Sequence, residues 1–185
     1  TTLFRSGFPQ IRKAHCMFGW DWGPRLPDAG IWKPISLLGI QKARFESVYI
    51  RQTREDGNVH LKFEIKTDQC GENDTCEKRE AMKYRVSIES PMGEVTVLED
   101  SPKECLISEP MLWWPHGYGE QNLYKIRMEL LCNDCLEDVW EKRIGLRTMT
   151  IHQEKDIYGE SFAHEVNGVQ IFAMGADYIP EDNIL

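Results

Sequence analysis

The sequence predicts an all-β protein, an immunoglobulin-like sandwich of about seven antiparallel strands flanked by partial segments of neighbouring domains. Short apolar segments recur at turn-punctuated spacing between residues 41 and 146. Within them Tyr84, Val86 and Ile88 alternate with Arg85, Ser87 and Glu89, the period of a strand with one face buried and one in water. The composition, 41% hydrophobic and 28% charged, is ordinary for a soluble globular chain and carries no helix-bundle signature.

Residues 1–40 read as the tail of another domain. Gly7-Phe8-Pro9-Gln10 is a turn and Ile11-Arg12-Lys13 is short and basic. Then comes Phe18-Gly19-Trp20-Asp21-Trp22-Gly23-Pro24, in which two indoles flank one carboxylate between Gly and Pro, the marks of a fixed, non-helical loop. An aromatic face beside an acceptor-only carboxylate suits a sugar, which offers an apolar face and hydroxyl donors. A turn with buried tryptophans explains the same residues equally well. After the turn Pro27-Asp28-Ala29-Gly30, the apolar run Ile31 to Ile40 predicts a strand, though one or two strands cannot bury a sheet face by themselves.

From residue 41 the expected strands are Phe45 to Gln52, Val59 to Thr67, Lys83 to Ser90, Glu94 to Glu99, Glu104 to Ile107, Leu123 to Leu131 and Val139 to Ile144. Turn-forming clusters separate them at Asp56-Gly57-Asn58, Cys70 to Thr75, Pro91-Met92-Gly93 and Asn133-Asp134. Seven strands in about 105 residues is the size of an immunoglobulin-like sandwich. Between the fifth and sixth lies Pro110 to Gln121, too rich in Pro and Gly for a regular element. Its Trp113-Trp114 pair reads as an aromatic plug closing one end of the sandwich, or else as a surface for carbohydrate or another domain. His116 has no second metal-type residue at matching spacing and reads as hydrogen-bonded filler.

Beyond Arg147 the pattern changes. Phe162 to Val166 and Val169 to Met174 flank Asn167-Gly168, a strong signal for a hairpin with a type I′ turn, so Asn167 is turn chemistry first. The tail from Met174 ends a strand with small residues and then presents Asp177 and Tyr178.

Charge and cysteines bound the function. A formal net charge of −8 argues against nucleic acid as a partner, which draws on clustered Lys and Arg. No apolar run approaches the roughly 18 residues of a membrane span, and the opening Thr1 to Arg5 is no signal peptide. The six cysteines, Cys16, Cys70, Cys76, Cys105, Cys132 and Cys135, are expected as free thiols. Two pairs, Cys70 with Cys76 and Cys132 with Cys135, could in principle form a four-thiolate zinc site. The five residues inside the first pair and the hairpin-tip look of both count against it, so neither metal nor cofactor is expected. Asn73-Asp74-Thr75 matches a glycosylation acceptor and equally a chance triplet in a polar loop. Thiols and the missing signal together lead to an expected cytoplasmic location; oligomeric state is not readable.

Four anchors carry a family resemblance. Ile11-Arg12-Lys13, the Phe18 to Pro24 loop and Gly30 to Pro34 resemble the end of the N-terminal jelly-roll (galactose-binding-like) domain of β-mannosidases in glycoside hydrolase family 2. Leu112-Trp113-Trp114-Pro115-His116-Gly117-Tyr118-Gly119 through Tyr124 resembles the signature of that family's immunoglobulin-like domain, and Ile144-Gly145-Leu146-Arg147-Thr148 the join into its catalytic domain. Val166-Asn167-Gly168 with Ile171 to Pro180 is similar to that domain's opening. The resemblance implies three segments: residues 1–40 from the jelly roll, 41–146 the sandwich, and 147–185 the start of a (β/α)8 barrel.

It also implies an exo-acting hydrolase that removes β-linked mannose with retention, using two glutamates about 5 to 5.5 Å apart. The barrel that carries them takes about 250 residues, whereas only about 40 follow the sandwich here. None of Glu160, Glu165 or Glu181 lies in either glutamate's motif, so no catalytic residue is assigned and the 185-residue chain is expected to be inactive alone. By the resemblance, Asp21 accepts hydrogen bonds from hydroxyls of the terminal sugar and Trp20 lines the wall. Asp177 and Tyr178 stand where the family more often has Asn-Trp, after the first barrel strand. The departure keeps an acceptor and a ring. The implied partners are β-mannoside oligosaccharides. Two rival readings are a non-catalytic carbohydrate- or protein-binding sandwich with Trp113-Trp114 as platform, and a family 2 hydrolase of another specificity, such as an exo-glucosaminidase.

Overall fold

The computed structural model describes residues 10, 12–19, 25–27, 29–31, 33–69 and 82–178. The chain divides into two compact units, one of Thr1–Leu38 with Met174–Leu185 and one of Gly39–Ala173. All ten strands among the described residues lie in the second unit.

Seven of them make the expected all-β, immunoglobulin-like sandwich. One sheet has the order β1-β2-β5, with β1 Ala43–Glu55, β2 Asn58–Gln69 and β5 Glu104–Ile107. The other has the order β4-β3-β6-β7, with β3 Met82–Glu89, β4 Val95–Leu98, β6 Tyr124–Cys132 and β7 Cys135–Ile144. Every pairing is antiparallel. The alternation read from the sequence determines which face is inward. Val59, Leu61 and Phe63 of β2 meet Val86 and Ile88 of β3 and Tyr124, Ile126 and Met128 of β6 in one buried cluster, closed by Leu146. Burying such side chains contributes about 1.5 to 3 kcal/mol each, the main term offsetting chain entropy.

Short turns set the register. Asp56-Gly57 and Asn133-Asp134 both hold positive φ at their two central positions, the type I′ geometry whose twist matches the strands it joins. The turn at 133–134 makes Cys135 the direct partner of Cys132, so β7 begins four residues before the expected Val139. A register shift at Leu130/Leu131 leaves Glu137 without a cross-strand partner, and next to it Asp138, opposite Leu130, has a carboxylate that accepts the Phe45 backbone N–H at 2.8 Å from the other sheet.

Outward faces carry ion pairs. Arg85 bridges Glu99 (2.8 Å) and Glu129 (3.3 Å), and Arg127 bridges Glu129 (3.0 Å) and Glu141 (2.6 Å) across β4-β3-β6-β7. The hydrogen bond from Arg127, followed by the nearby charge of Lys125, holds the Glu141 carboxyl below its ordinary range. A lowered carboxyl pKa adds stability above the unfolded value, and this is lost as pH falls through the folded value. The melting temperature of Glu141→Gln is therefore expected below wild type at neutral pH, the gap closing in acid. A gap of the same size at both pH values would assign the effect to something other than this ion pair.

Two expectations are corrected. The run Ile31 to Ile40 forms no strand among its described residues, and Ile31, Ile35, Leu37 and Leu38 are all exposed. Pro34 has no N–H for a ladder, and no described segment pairs with this run, so its apolar pattern lacks the neighbour a strand requires. Conversely, Met149–His152 forms an unexpected strand, β8, beside the hairpin of β9 Ala163–Val166 and β10 Val169–Ile171, in the order β10-β9-β8. The hairpin turn is type I′ as expected, with Asn167 at φ 54 and Gly168 at φ 83. β10 stops at Ile171 rather than Met174.

In the first unit the described residues include the short 3₁₀ turn His15–Phe18, which ends at Gly19 with φ 109. A Cβ on Gly19 would stand 2.8 Å from Arg25 Cγ, so with its positive φ this position requires glycine.

Candidate functional site

The four sugar-site residues named from the sequence fall in two groups. Trp20 and Asp21 lie outside the described residues, as do Cys70, Cys76 and the Asn73 triplet. Asp177 and Tyr178 belong to the unit of Thr1–Leu38 with Met174–Leu185, in a segment without regular secondary structure. Both are exposed, Tyr178 at 76%. A carboxylate and a phenol in such positions can accept and donate to hydroxyls and offer a ring for stacking.

In the larger unit the concentration of polar contacts around aromatic residues lies where the 110–121 loop meets the β8-β9-β10 sheet. Trp113 is half-buried and held on every side. Its N–H donates to Leu146 O at 2.9 Å, and it forms an isolated antiparallel bridge with Gln121. The Arg147 guanidinium covers its ring, 4.8 Å from the centroid, a cation–π contact. A Cβ on Gly145 would stand 2.6 Å from Trp113 Cγ, and one on Gly119 2.8 Å from Trp114 Cγ, so both indoles pack directly on glycine backbone. Tyr124 OH accepts the Met111 N–H at 3.0 Å, and Asn122 Nδ2 donates to Leu112 O at 3.1 Å. These contacts make the loop an aromatic plug. They also leave Trp113 without the open face that a carbohydrate platform needs.

Gln52 reaches into the same junction from β1. Its Oε1 accepts the Arg147 N–H at 3.0 Å and its Nε2 donates to Gly145 O at 3.4 Å. Asn167 does more than turn the hairpin: its Oδ1 accepts the Thr148 N–H and its Nδ2 donates to Trp113 O, each at 3.0 Å. Tyr118 OH accepts the Phe172 N–H at 3.0 Å. The sequence showed Asn167 as turn chemistry first and gave Gln52 and Tyr118 no individual role, since nothing in their local pattern shows a partner far away in the chain. Only the Gly145-Leu146-Arg147 run signalled the junction.

Cys16, Cys105 and Cys135 are free thiols, and burial raises the pKa of the Cys105 thiol. Among the described residues no group of three or more His, Cys, Asp or Glu could hold a metal ion. No helix among them is long and apolar enough to cross a membrane.

Comparison with known proteins gives this architecture its class. Residues 4–33 match the glycosyl hydrolase 2 galactose-binding domain-like family, and residues 43–147 match glycosyl hydrolases family 2. The chain belongs to glycosyl hydrolases family 2. Within it, the chain is similar to beta-mannosidase B of Aspergillus flavus, 31% identical over 177 residues, and to that of Aspergillus fumigatus, 33% identical over 181. Each match takes in 95% of this chain and 21% of the relative, so the chain spans about a fifth of the length of these curated relatives. A crystal structure of beta-D-mannosidase from Dictyoglomus thermophilum superposes with a TM-score of 0.69 at 31% identity, over 91% of this chain and 21% of that one. Ruminococcus gnavus beta-glucuronidase shares the fold at a TM-score of 0.52 and 16% identity, over 72% of this chain and 19% of its own.

Proposed function

We propose that this chain is a non-catalytic portion of an exo-acting, retaining β-mannosidase that hydrolyses terminal β-D-mannose residues. In this reading residues 1–40 complete a galactose-binding-like jelly roll, 41–146 form a structural linker sandwich, and 147–185 open the catalytic barrel. The observation that carries it is the similarity to β-mannosidases at 31–33% identity along 95% of the chain, running through the tryptophan loop, the sandwich and the hairpin. Trp20, Asp21, Asp177 and Tyr178 then contact the terminal sugar, supported by their residue chemistry and by the family loop they resemble. The reacting glutamates belong to the part of the enzyme outside this segment, and β-mannoside oligosaccharides are its substrates. A cytoplasmic location belongs to the same proposal, supported by the free thiols.

The enzyme carrying this segment is expected to release the aryl group from an aryl β-mannoside, and the purified 185-residue chain is expected to release none. Turnover by the 185-residue chain, or preference of the enzyme for a β-glucosaminide, would overturn the proposal.

A further inference from the structure

We infer that one face of the β8-β9-β10 sheet is a docking surface, covered in the whole enzyme by the catalytic part that lies outside this segment. The inference rests on the proposal that the chain is a portion of a larger β-mannosidase. Strand pairing divides the side chains of the sheet in two. Met149, Val166 and Val169 stand opposite one another across the three strands, as do Ile151, His164 and Ile171, so these six share one face. Thr150, Glu165 and Gln170 form a row on the other face, with His152 and Ala163 beside them. The first face carries no Asp, Glu, Lys or Arg. The second keeps its polar groups in contacts of its own, Thr150 Oγ1 donating to Glu165 Oε1 at 3.1 Å and His152 Nδ1 lying 3.9 Å from Glu165 Oε2.

The apolar face is closed at its centre and open around it. Val166 is buried, whereas Ile151 is exposed, Met149 is 61% exposed and Val169 44%. Phe162, whose ring meets that of His164 edge-on at 5.8 Å between centroids, extends the face and is 66% exposed. Single exposed apolar side chains are ordinary on a protein surface, but here they gather on one side of a sheet whose other side is polar, the pattern of a layer that lacks its neighbour. The sandwich does not supply that neighbour. Among the described residues none from β8, β9 or β10 belongs to its core cluster or packs against it, and Leu146 closes that cluster before β8 begins. Strands of four, four and three residues bury little among themselves. Size and position point to the occupant. The chain covers 21% of the β-mannosidases it matches, which leaves about four-fifths of their length elsewhere, and the sheet lies beyond residues 43–147 of the family match. A face without charge suits a permanent apolar contact, as between parts of one enzyme, better than a partner that comes and goes.

Met149 is a native reporter of this face. The test is oxidation of Met149 to its sulfoxide by hydrogen peroxide, followed by peptide mass mapping, in the 185-residue chain and in the enzyme that carries it. Met92, between β3 and β4 and 75% exposed, is the internal control. Met92 is expected to oxidise at one rate in both proteins, and Met149 about tenfold more slowly in the enzyme, since susceptibility follows exposure. Val169→Asp puts a charge on the same face. It is expected to return Met149 of the enzyme to the rate of the 185-residue chain and to leave the rate in that chain unchanged. Equal Met149 rates in the wild-type chain and enzyme would overturn the inference without any variant having to fold, and so would a Met149 still protected in the Val169→Asp enzyme. Protection of Met149 in the 185-residue chain, with a doubled mass in sedimentation, would assign the face to a second copy instead. An enzyme that protects Met149 but leaves an aryl β-mannoside intact would overturn the proposed activity and leave the docking surface standing.

Discussion

Asp21→Ala, made in the enzyme that carries this chain, is expected to lower kcat/KM by roughly 10- to 150-fold, the equivalent of about 1.5 to 3 kcal/mol for hydrogen bonds to a charged group. The reasoning starts from the residue. A carboxylate between two indoles can only accept, and a sugar rim mainly donates. Hydrogen bonds made out of contact with water are worth more than the same bonds in water. Asp21→Asn keeps one acceptor oxygen and is expected to retain part of the activity. Steady-state kinetics on an aryl β-mannoside decides the matter: rates equal to wild type in Asp21→Ala would take this residue out of the site.

Leu61→Ala in the 185-residue chain is expected to lose about 2 to 5 kcal/mol of stability. Leu61 is fully buried at the centre of the cluster between the two sheets, with Ile126 and Met128 equally closed off from water on the facing β6. Removing its branched end leaves a cavity that a sheet tied by a two-residue turn cannot collapse to fill. A control on the same sheet sharpens the test. Leu106 of β5 is 53% exposed, and Leu106→Ala is expected to stay within about 0.5 kcal/mol of wild type. Urea unfolding measures both. Equal midpoints for the two variants would mean that Leu61 does not occupy the core.

Much of the fold was legible because the sandwich strands carry their instructions locally. Val59, Leu61 and Phe63 alternate with His60 and Lys62, and a period of two with one wet face permits one register and one orientation. Asp56-Gly57 and Asn167-Gly168 were legible for a similar reason, since few residues accept positive φ at both turn centres. The errors fall where the deciding partner is distant. Ile31 to Ile40 has a strand's composition and no described neighbour to pair with, while Met149–His152, with a weak pattern, becomes β8 because β9 lies beside it. Asp138, left outside the strand expected from Val139, lies within β7 and its carboxylate serves Phe45 on the opposite sheet.

The candidate site divides in the same way. Trp20 and Asp21 could be named from the sequence because an indole and a carboxylate declare what they can bind, whereas Asp177 and Tyr178 were named through the family resemblance. The sequence by itself determined the β class, the inward faces, the turn at Asp56-Gly57, the type I′ turn at Asn167-Gly168 and the chemistry that these side chains offer, all properties of neighbours along the chain. Only the tertiary structure decided that Trp113 is a clasped plug under Arg147, that Gln52 and Asn167 join β1 and the hairpin to it, and that Phe172 ends its strand on Tyr118. Those contacts join residues far apart in the chain. A hydrogen bond made across such a separation leaves no period in the sequence from which to read it.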